Sequence, residues 1–567
     1  MNKLLLALSA VAAAGAIEID THSKESICNA TSLIQDGLLD YYEGNRYGGT
    51  VGIFQPPYYW WQSGEAFGSL LNNWYLCQND TYEKLIYDAI LAQAGPNYDF
   101  VPKNQTMVEG NDDQGVFDMT ILDAMERNFT APPKGSPSWL DMNQRVFNSM
   151  YDRWDTTSCN GGIRWQIYSW NNGYDYKNAV STGSLFHIAA RLARYTGNAS
   201  YFQVADTIFD WLTSVNYVMF DDKYGYVMDG ASIEQNCTDI TRIEWTYNFG
   251  IIMDGCAYLY NATNGSAKWE QCTTKLLAGA KDDFFDKNDI MYEAACQTNN
   301  KCNNDQRSFK ALLARFLGTT SVLAPYTEST IKPMINASAI GAAKSCNGGY
   351  DGHTCGLSWQ KGTNDGYYGM GEQMSALEII QNLLINDYPP PLVAPNGGCF
   401  NETVNDTQTR LRPPRGLNVT SRTTLNGTVI PQGTFIYIND TNITGGVSVV
   451  LNSNTTAGSY LYLNSTNLTA GTYMFYEPST QVDIVGGSIF NCSSNNLTHS
   501  FDLFCKLTNS SDGSFVFYNN TNLVNDLRNF YNTTNITIGT TILKGNTDAN
   551  LTSSIISQNR KKIQTKS

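Results

Sequence analysis

Two periodicities divide the chain. Up to about residue 390 the apolar positions recur three and four apart, as on one face of a helix; after about residue 415 they alternate with polar ones, as in strands. The run 185–195 has helical spacing, Thr196-Gly197-Asn198 interrupts it, and Ser200 is the expected N-cap of a second helix carrying Phe202, Ala205, Ile208, Phe209 and Leu212 on one side. The same helix–break–helix unit is expected where residues 74–77 pass through Gln78-Asn79-Asp80 into Thr81, and where residues 255–260 pass through 261–265 into Lys268 and Trp269. Residues 311–317 read as a further helix. Helical hairpins repeated in this way predict a closed ring of paired helices, with an open solenoid as the other arrangement. The long Gly- and aromatic-rich segments between hairpins favour closure, because they suit loops gathered at one end of a ring.

Pro389-Pro390-Pro391, Pro395, Gly397-Gly398 and Pro413-Pro414 mark a linker, placed at 391–414. All Trp residues lie between 60 and 359, so composition changes across it. Beyond it, segments 433–438, 458–463 and 471–476 each begin with Gly and a small residue and alternate aromatic with other positions. Residues 415–567 are therefore expected to be a smaller β-rich region, a sandwich or a solenoid, with a glycosylated stalk lacking fixed structure as the alternative. Asn-x-Ser/Thr acceptor sites occur at Asn29, Asn104, Asn198 and Asn336 and crowd together from Asn401 onward.

The chain's beginning changes the expected compartment. Lys3, the apolar residues from Leu4 to Leu8 and Ala14-Gly15-Ala16 read as a signal peptide over 1–16. The 13 cysteines contain no C-x-x-C pair, which predicts disulfides and at least one unpaired thiol. Cys296 with Cys302, Cys346 with Cys355 and Cys492 with Cys505 are close enough in sequence to be bridged. A secreted or cell-surface protein is expected. The formal net charge is −15 and the only compact basic cluster is Arg560-Lys561-Lys562, which argues against a nucleic-acid partner. With four His and no Cys/His ligand spacing, no metal and no cofactor is expected; His187, inside an apolar helix, reads as a core residue.

The sharpest chemical feature is Glu109-Gly110-Asn111-Asp112-Asp113-Gln114-Gly115. The helical spacing of Val116, Met119, Leu122 and Met125 puts Asp112 and Asp113 at a helix N-terminus. Unpaired N–H groups and the dipole favour carboxylates there, so the pair suits simple capping. It equally suits glycoside hydrolysis, which needs two carboxyl groups with different protonation near one sugar. Sugar-binding residue types surround it: Tyr58-Tyr59-Trp60-Trp61 with Glu65, Arg164-Trp165, and Trp170-Asn171-Asn172. Besides Asn111 and Gln114, the candidates for substrate contact are Trp60, Trp61, Glu65, Arg164, Trp165, Asn178, Tyr247, Asn248 and Glu372, the last also readable as an ordinary helix-start carboxylate.

Gly110-Asn111-Asp112-Asp113-Gln114 resembles the paired-aspartate motif of glycoside hydrolase family 76, and more narrowly its fungal Dfg5/Dcw1 group of mannan endo-1,6-α-mannosidases. Tyr41-Tyr42-Glu43-Gly44, Tyr58-Tyr59-Trp60-Trp61-Gln62-Ser63-Gly64, the stretches 124–129, 159–165 and 189–197, and Gly371-Glu372-Gln373-Met374 match in order, over about residues 20–390. The resemblance implies an all-α (α/α)6 barrel over 17–390 and a retaining mechanism with Asp112 as nucleophile and Asp113 as acid/base. It also implies hydrolysis or transglycosylation of α-1,6-mannan or the mannan core of a GPI glycan, with wall β-glucan as acceptor. A catalytically silent mannan-binding wall protein is the alternative. Proteins of the group end in an apolar GPI-anchor signal; residues 556–567 here are polar and basic, which puts membrane anchoring in doubt.

Overall fold

The computed structural model describes residues 16–395 and 397–398, and beyond them the backbone of nine short strands between 417 and 517. The expected signal peptide (1–16, save Ala16), most of the 391–414 linker and the chain's end lie outside the described residues. The chain divides into two units, 1–411 and 412–567. In the second, strands Leu417–Val419, Phe435–Ile438, Ser459–Leu463 and Val482–Ile484 form one parallel ladder. Arg422–Asn426, Ser448–Asn452 and Tyr473–Tyr476 form another, and Ser488–Asn491 pairs antiparallel with Ser514–Phe517.

The first unit is a ring of alternating inner and outer helices. In chain order they are α1 (Lys24–Leu39), α2 (Trp60–Cys77), α3 (Glu83–Ala92), α4 (Asn111–Glu126), α5 (Trp139–Tyr151), α6 (Ala179–Thr196), α7 (Ala199–Ser214), α8 (Thr246–Ala262), α9 (Ala267–Phe284), the single turn α10 (Ala294–Gln297), α11 (Phe309–Leu323), α12 (Glu328–Ser345) and α13 (Met370–Gln381). Helix α2 packs on α4, α4 on α6, α6 on α8, α8 on α11, α11 on α13, and α13 returns to α2. The ring is therefore closed, and the open solenoid is set aside. Helices α1, α3, α5, α7, α9 and α12 form the outer layer. Every residue of α13 is buried, whereas α3 buries only Ile86, Ala89 and Ile90, as expected of helices covered all round or on one stripe.

The inner helices bury polar residues as well as apolar ones. Arg191 on α6 holds Asp123 and Glu126 on α4 at 2.6 and 2.8 Å, and Tyr258 on α8 donates to the same Glu126 at 2.5 Å. Arg315 on α11 pairs with Glu378 on α13 at 2.7 Å and donates to the Glu65 carbonyl on α2. His187 is fully buried against Asp254 at 2.8 Å, in agreement with its reading as a core residue. Such pairs add little net stability over apolar packing, but removing one partner strands the other charge, so they pin the register of neighbouring helices.

Helix α6 stops at Gly197, whose φ of +67° any β-carbon would disfavour. Asn198, not Ser200, caps α7: its side chain, two residues earlier and just outside the first turn, accepts the Ser200 N–H at 2.9 Å, while Ser200 already lies within the helix. Disulfides join Cys28–Cys77, Cys159–Cys237, Cys256–Cys272, Cys296–Cys302 and Cys346–Cys355. The two expected pairs within this unit are thus formed; Cys399, Cys492 and Cys505, and with them the expected third pair and the free thiol, lie outside the described residues. A small sheet of β1 (Tyr176–Asn178), β4 (Gly230–Ser232) and β5 (Ile240–Thr241) runs into the N-terminus of α6. The hairpin β2 (Val218–Phe220) and β3 (Gly225–Val227) leads into it.

Candidate active site

The site is built on the first turn of α4. Gly110 precedes the helix in extended conformation and donates its N–H to Asp113 Oδ2 at 2.5 Å, so Asp113 does act as a cap. A β-carbon at Gly110 would lie 2.2 Å from Asp112 Oδ1 and 3.1 Å from Asp113 Oδ2, which is why glycine stands there. Asp112 is held differently: its Oδ2 accepts the indole N–H of Trp165 at 2.8 Å. The two adjacent carboxylates therefore have distinct partners.

Trp165 is tied to α4 and to β1 through its main chain. Its carbonyl accepts the Asn111 N–H at 2.8 Å and its own N–H donates to the Tyr176 carbonyl at 2.7 Å. Gly173, at φ +93°, makes room for the indole; a β-carbon would approach the ring to 2.3 Å. The sheet thus carries Tyr176, Asn178 and, just before β4, Asp229 toward Asp112.

These residues open on a cavity of about 150 Å³. Trp61, Trp165, Tyr176, Tyr247 and Phe309 give it aromatic walls, Val116, Val180 and Leu312 add apolar surface, and its polar groups are Asp112, Asn178, Asp229 and Asp305. Apolar walls with a few converging polar groups suit a sugar, whose C–H faces stack while its hydroxyls donate. Asp113 is partly accessible but is not among the lining residues.

Burial dominates the protonation of the pair. It raises Asp112 to about 7 against the opposing effect of the main-chain N–H groups and of the Trp165 N–H. Asp113 is raised well above the ordinary carboxylate range, by burial first and by the charge of Asp112 second. The two titrate together, and the shared preference is for the first charge to sit on Asp112 while the proton stays on Asp113. Glu109, buried with neither oxygen hydrogen-bonded among the described residues, is pushed up to about 9 by burial, against the attraction of Arg153.

Of the sequence-derived candidates, Trp61, Trp165, Asn178 and Tyr247 line the cavity, Asn178 also accepting the Ser181 N–H to cap α6. Others stand behind it. Asn111 donates to the Arg164 carbonyl at 2.9 Å and accepts from Arg153 at 2.6 Å; Gln114 donates to the Asp99 carbonyl at 2.6 Å and also accepts from Arg153. Arg164 is paired with Asp155 at 2.8 Å and stacks on Tyr174, so its guanidinium is engaged away from the cavity. Trp60, Glu65, Asn248 and Glu372 also do not line it. Trp60 stacks on Phe117 at 4.1 Å and donates to Gln93, because adjacent helix positions point about 100° apart and Trp61 takes the cavity side. Glu65 and Asn248 are buried, and Glu372 pairs with Arg307 at 2.8 Å.

Sequence reasoning missed Asp229, Asp305, Tyr176 and Arg153. Asp305 accepts the Trp61 indole N–H at 2.9 Å; Asp229 accepts the Tyr176 hydroxyl at 2.7 Å and the Trp245 indole N–H at 3.1 Å. Asp229, Asp305 and Arg153 are lone residues in loops or turns and Tyr176 opens the short strand β1, with no local pattern to single any of them out.

Residues 26–395 match the family model described as Glycosyl hydrolase family 76. The chain is 63% identical over 398 residues to the Saccharomyces cerevisiae protein named mannan endo-1,6-alpha-mannosidase DFG5, covering 70% of this chain and 86% of that one. It superposes on the crystal structure of Dfg5 from Chaetomium thermophilum, in complex with glucosamine, with a TM-score of 0.64 and 37% identity over 67% of this chain and 95% of that one. An inactive variant of the alpha-1,6-mannanase of Salegentibacter sp., in complex with alpha-1,6-mannotetrose, shares the fold at a TM-score of 0.51 and 15% identity, over 63% of this chain and 98% of that one.

Proposed function

The chain belongs to glycosyl hydrolase family 76, and on that premise we propose that it cleaves α-1,6-mannosidic linkages with retention of configuration. Asp112 attacks the anomeric carbon. Asp113 protonates the departing glycosidic oxygen and then takes the proton of the incoming hydroxyl. The observation that carries this reading is the unequal environment of the pair: Asp112, oriented by Trp165, faces the aromatic cavity and loses its proton first, while Asp113 keeps its own. With Oδ2 taken by the Gly110 N–H, Asp113 carries its proton on Oδ1. The S. cerevisiae relative supports α-1,6-mannan as the substrate class by its name and its likeness to this chain.

The finer assignment follows the fungal group. The mannan core of a GPI glycan serves as donor, and a β-glucan hydroxyl replaces water as acceptor, linking GPI proteins to the wall. The enzyme is secreted or held at the cell surface, a placement supported by five disulfides. Its region after residue 415 is β-rich and glycosylated.

Asp112→Asn and Asp113→Asn test the chemistry. Each should lower turnover of an α-1,6-mannan oligosaccharide by about 10³-fold or more with the fold retained. Unchanged turnover in either variant removes the assignment; a wild type that binds mannan without cleaving or transferring it makes the protein a binding protein instead. Weighing the products formed with glucan oligosaccharides present separates transfer from hydrolysis.

A further inference from the structure

Three carboxylates line the cavity, and each accepts an indole N–H: Asp112 from Trp165 at 2.8 Å, Asp305 from Trp61 at 2.9 Å and Asp229 from Trp245 at 3.1 Å. An indole is a neutral donor with no second role. It fixes the direction of a carboxylate without cancelling its charge, as an arginine or lysine would. The three aspartates come from separate parts of the ring: the start of α4, the turn before β4 and the turn before α11.

No lysine, arginine or histidine is among the lining residues. The nearby cations are engaged elsewhere. Arg164 and Lys177 both pair with Asp155, Arg307 pairs with Glu372, and Lys310 donates to the Leu357 carbonyl. Burial raises all three aspartates, so the cavity fills with negative charge only as pH rises past them; once ionised, they have no lining cation to offset them between low-dielectric aromatic walls. For Asp305, only one oxygen is taken by Trp61; among the described residues the other accepts no hydrogen bond.

We infer that Asp229 and Asp305 are substrate-binding residues that make the cavity selective for a cationic pyranose ring. They accept ring hydroxyls as they hold the sugar, and their charge favours the ring carbon and oxygen that become positive as the glycosidic bond breaks. This rests on the glycosidase reading, in which the transition state is oxocarbenium-like. Charge placed in advance at that position stabilises the transition state more than the neutral ground state. Their loss therefore acts more on turnover than on substrate binding.

The experiment compares two ligands on the intact protein by calorimetry: an imino sugar of mannose configuration, cationic at its ring nitrogen, and mannose itself. It is run at about pH 7.5, above the value of about 6 to which burial raises Asp305. Asp305→Asn keeps the Oδ1 acceptor for Trp61 and Asp229→Asn keeps that for Trp245; each removes the charge and turns the other oxygen into an N–H₂ donor, facing a ring hydroxyl at 305 and the Tyr176 hydroxyl at 229, and a hydroxyl can accept as well as donate. Each variant should weaken the imino sugar by about tenfold and mannose by less than about twofold. With α-1,6-mannan, kcat should fall while KM changes little. Equal losses for both ligands in both variants, or no loss for either, overturn the inference. A wild type that cleaves α-1,6-mannan but shows no preference for the cation also overturns it, and leaves the proposed function standing. A wild type that shows the preference but never cleaves mannan keeps the anionic cavity and removes the proposed function.

Discussion

The indole of Trp165 donates to Asp112 at 2.8 Å while the same residue's carbonyl accepts the N–H of Asn111, one position before Asp112. One residue from another loop thus holds both the backbone and the side chain at the start of α4. A carboxylate fixed at both ends loses little orientational freedom when it meets a reacting atom.

Trp165→Phe keeps the aromatic wall and removes the N–H. The donor opposes the rise of Asp112, so its loss lifts Asp112 further above about 7. The acidic limb of the kcat/KM profile should move to higher pH by about one unit, and activity at the optimum should fall by about tenfold to hundredfold. The pH profile is the readout, since a change in packing alone would leave its limb in place.

Gly110→Ala tests the crowding beside the pair. The added carbon would meet Asp112 Oδ1 at 2.2 Å, the Trp165 carbonyl oxygen at 2.9 Å and Asp113 Oδ2 at 3.1 Å, while the backbone at φ −104° tolerates alanine. The carboxylates and the Trp165 main chain must shift rather than the helix unfold. Turnover should fall by about 10²-fold with a far-UV CD spectrum and Tm close to wild type.

Glu109 governs stability at alkaline pH. Burial raises it to about 9 in the folded protein, against about 4.3 when unfolded. A carboxyl raised by folding binds more protons in the native state, so its contribution is full below the unfolded value and is lost as pH rises toward about 9. The melting temperature should therefore decline between about pH 5 and pH 9, and Glu109→Gln, neutral throughout, should flatten that decline. A decline of the same slope in the variant would assign the loss to other buried carboxyls, such as Glu293 at about 8.

The pattern of apolar spacing carried the helical hairpins, the break at Gly197 and the location of Asp112 and Asp113 at a helix start. These features depend on contacts within a few residues. The close cysteine pairs were legible for the same reason, whereas Cys159–Cys237, whose ends lie 78 positions apart, was not. The Tyr-Tyr-Trp-Trp run was legible as a sugar-site feature, but not which indole would serve. Trp60 and Trp61 are chemically the same, and only the position of α2 in the ring sends one to Phe117 and the other to Asp305.

By itself the amino-acid order determined the family, the alternation of helices and the acidic pair, because each is written in neighbouring residues or in an ordered series of motifs. Closure of the ring decided the rest. It brought Asp229 and Asp305 into one cavity with Asp112, set an indole against each of the three, and buried Asp113 beside Asp112 so that its carboxyl is raised well above the ordinary range. Those relations arise between segments far apart in sequence, and burial and Coulomb interaction depend on distance through space, which the order of residues does not state.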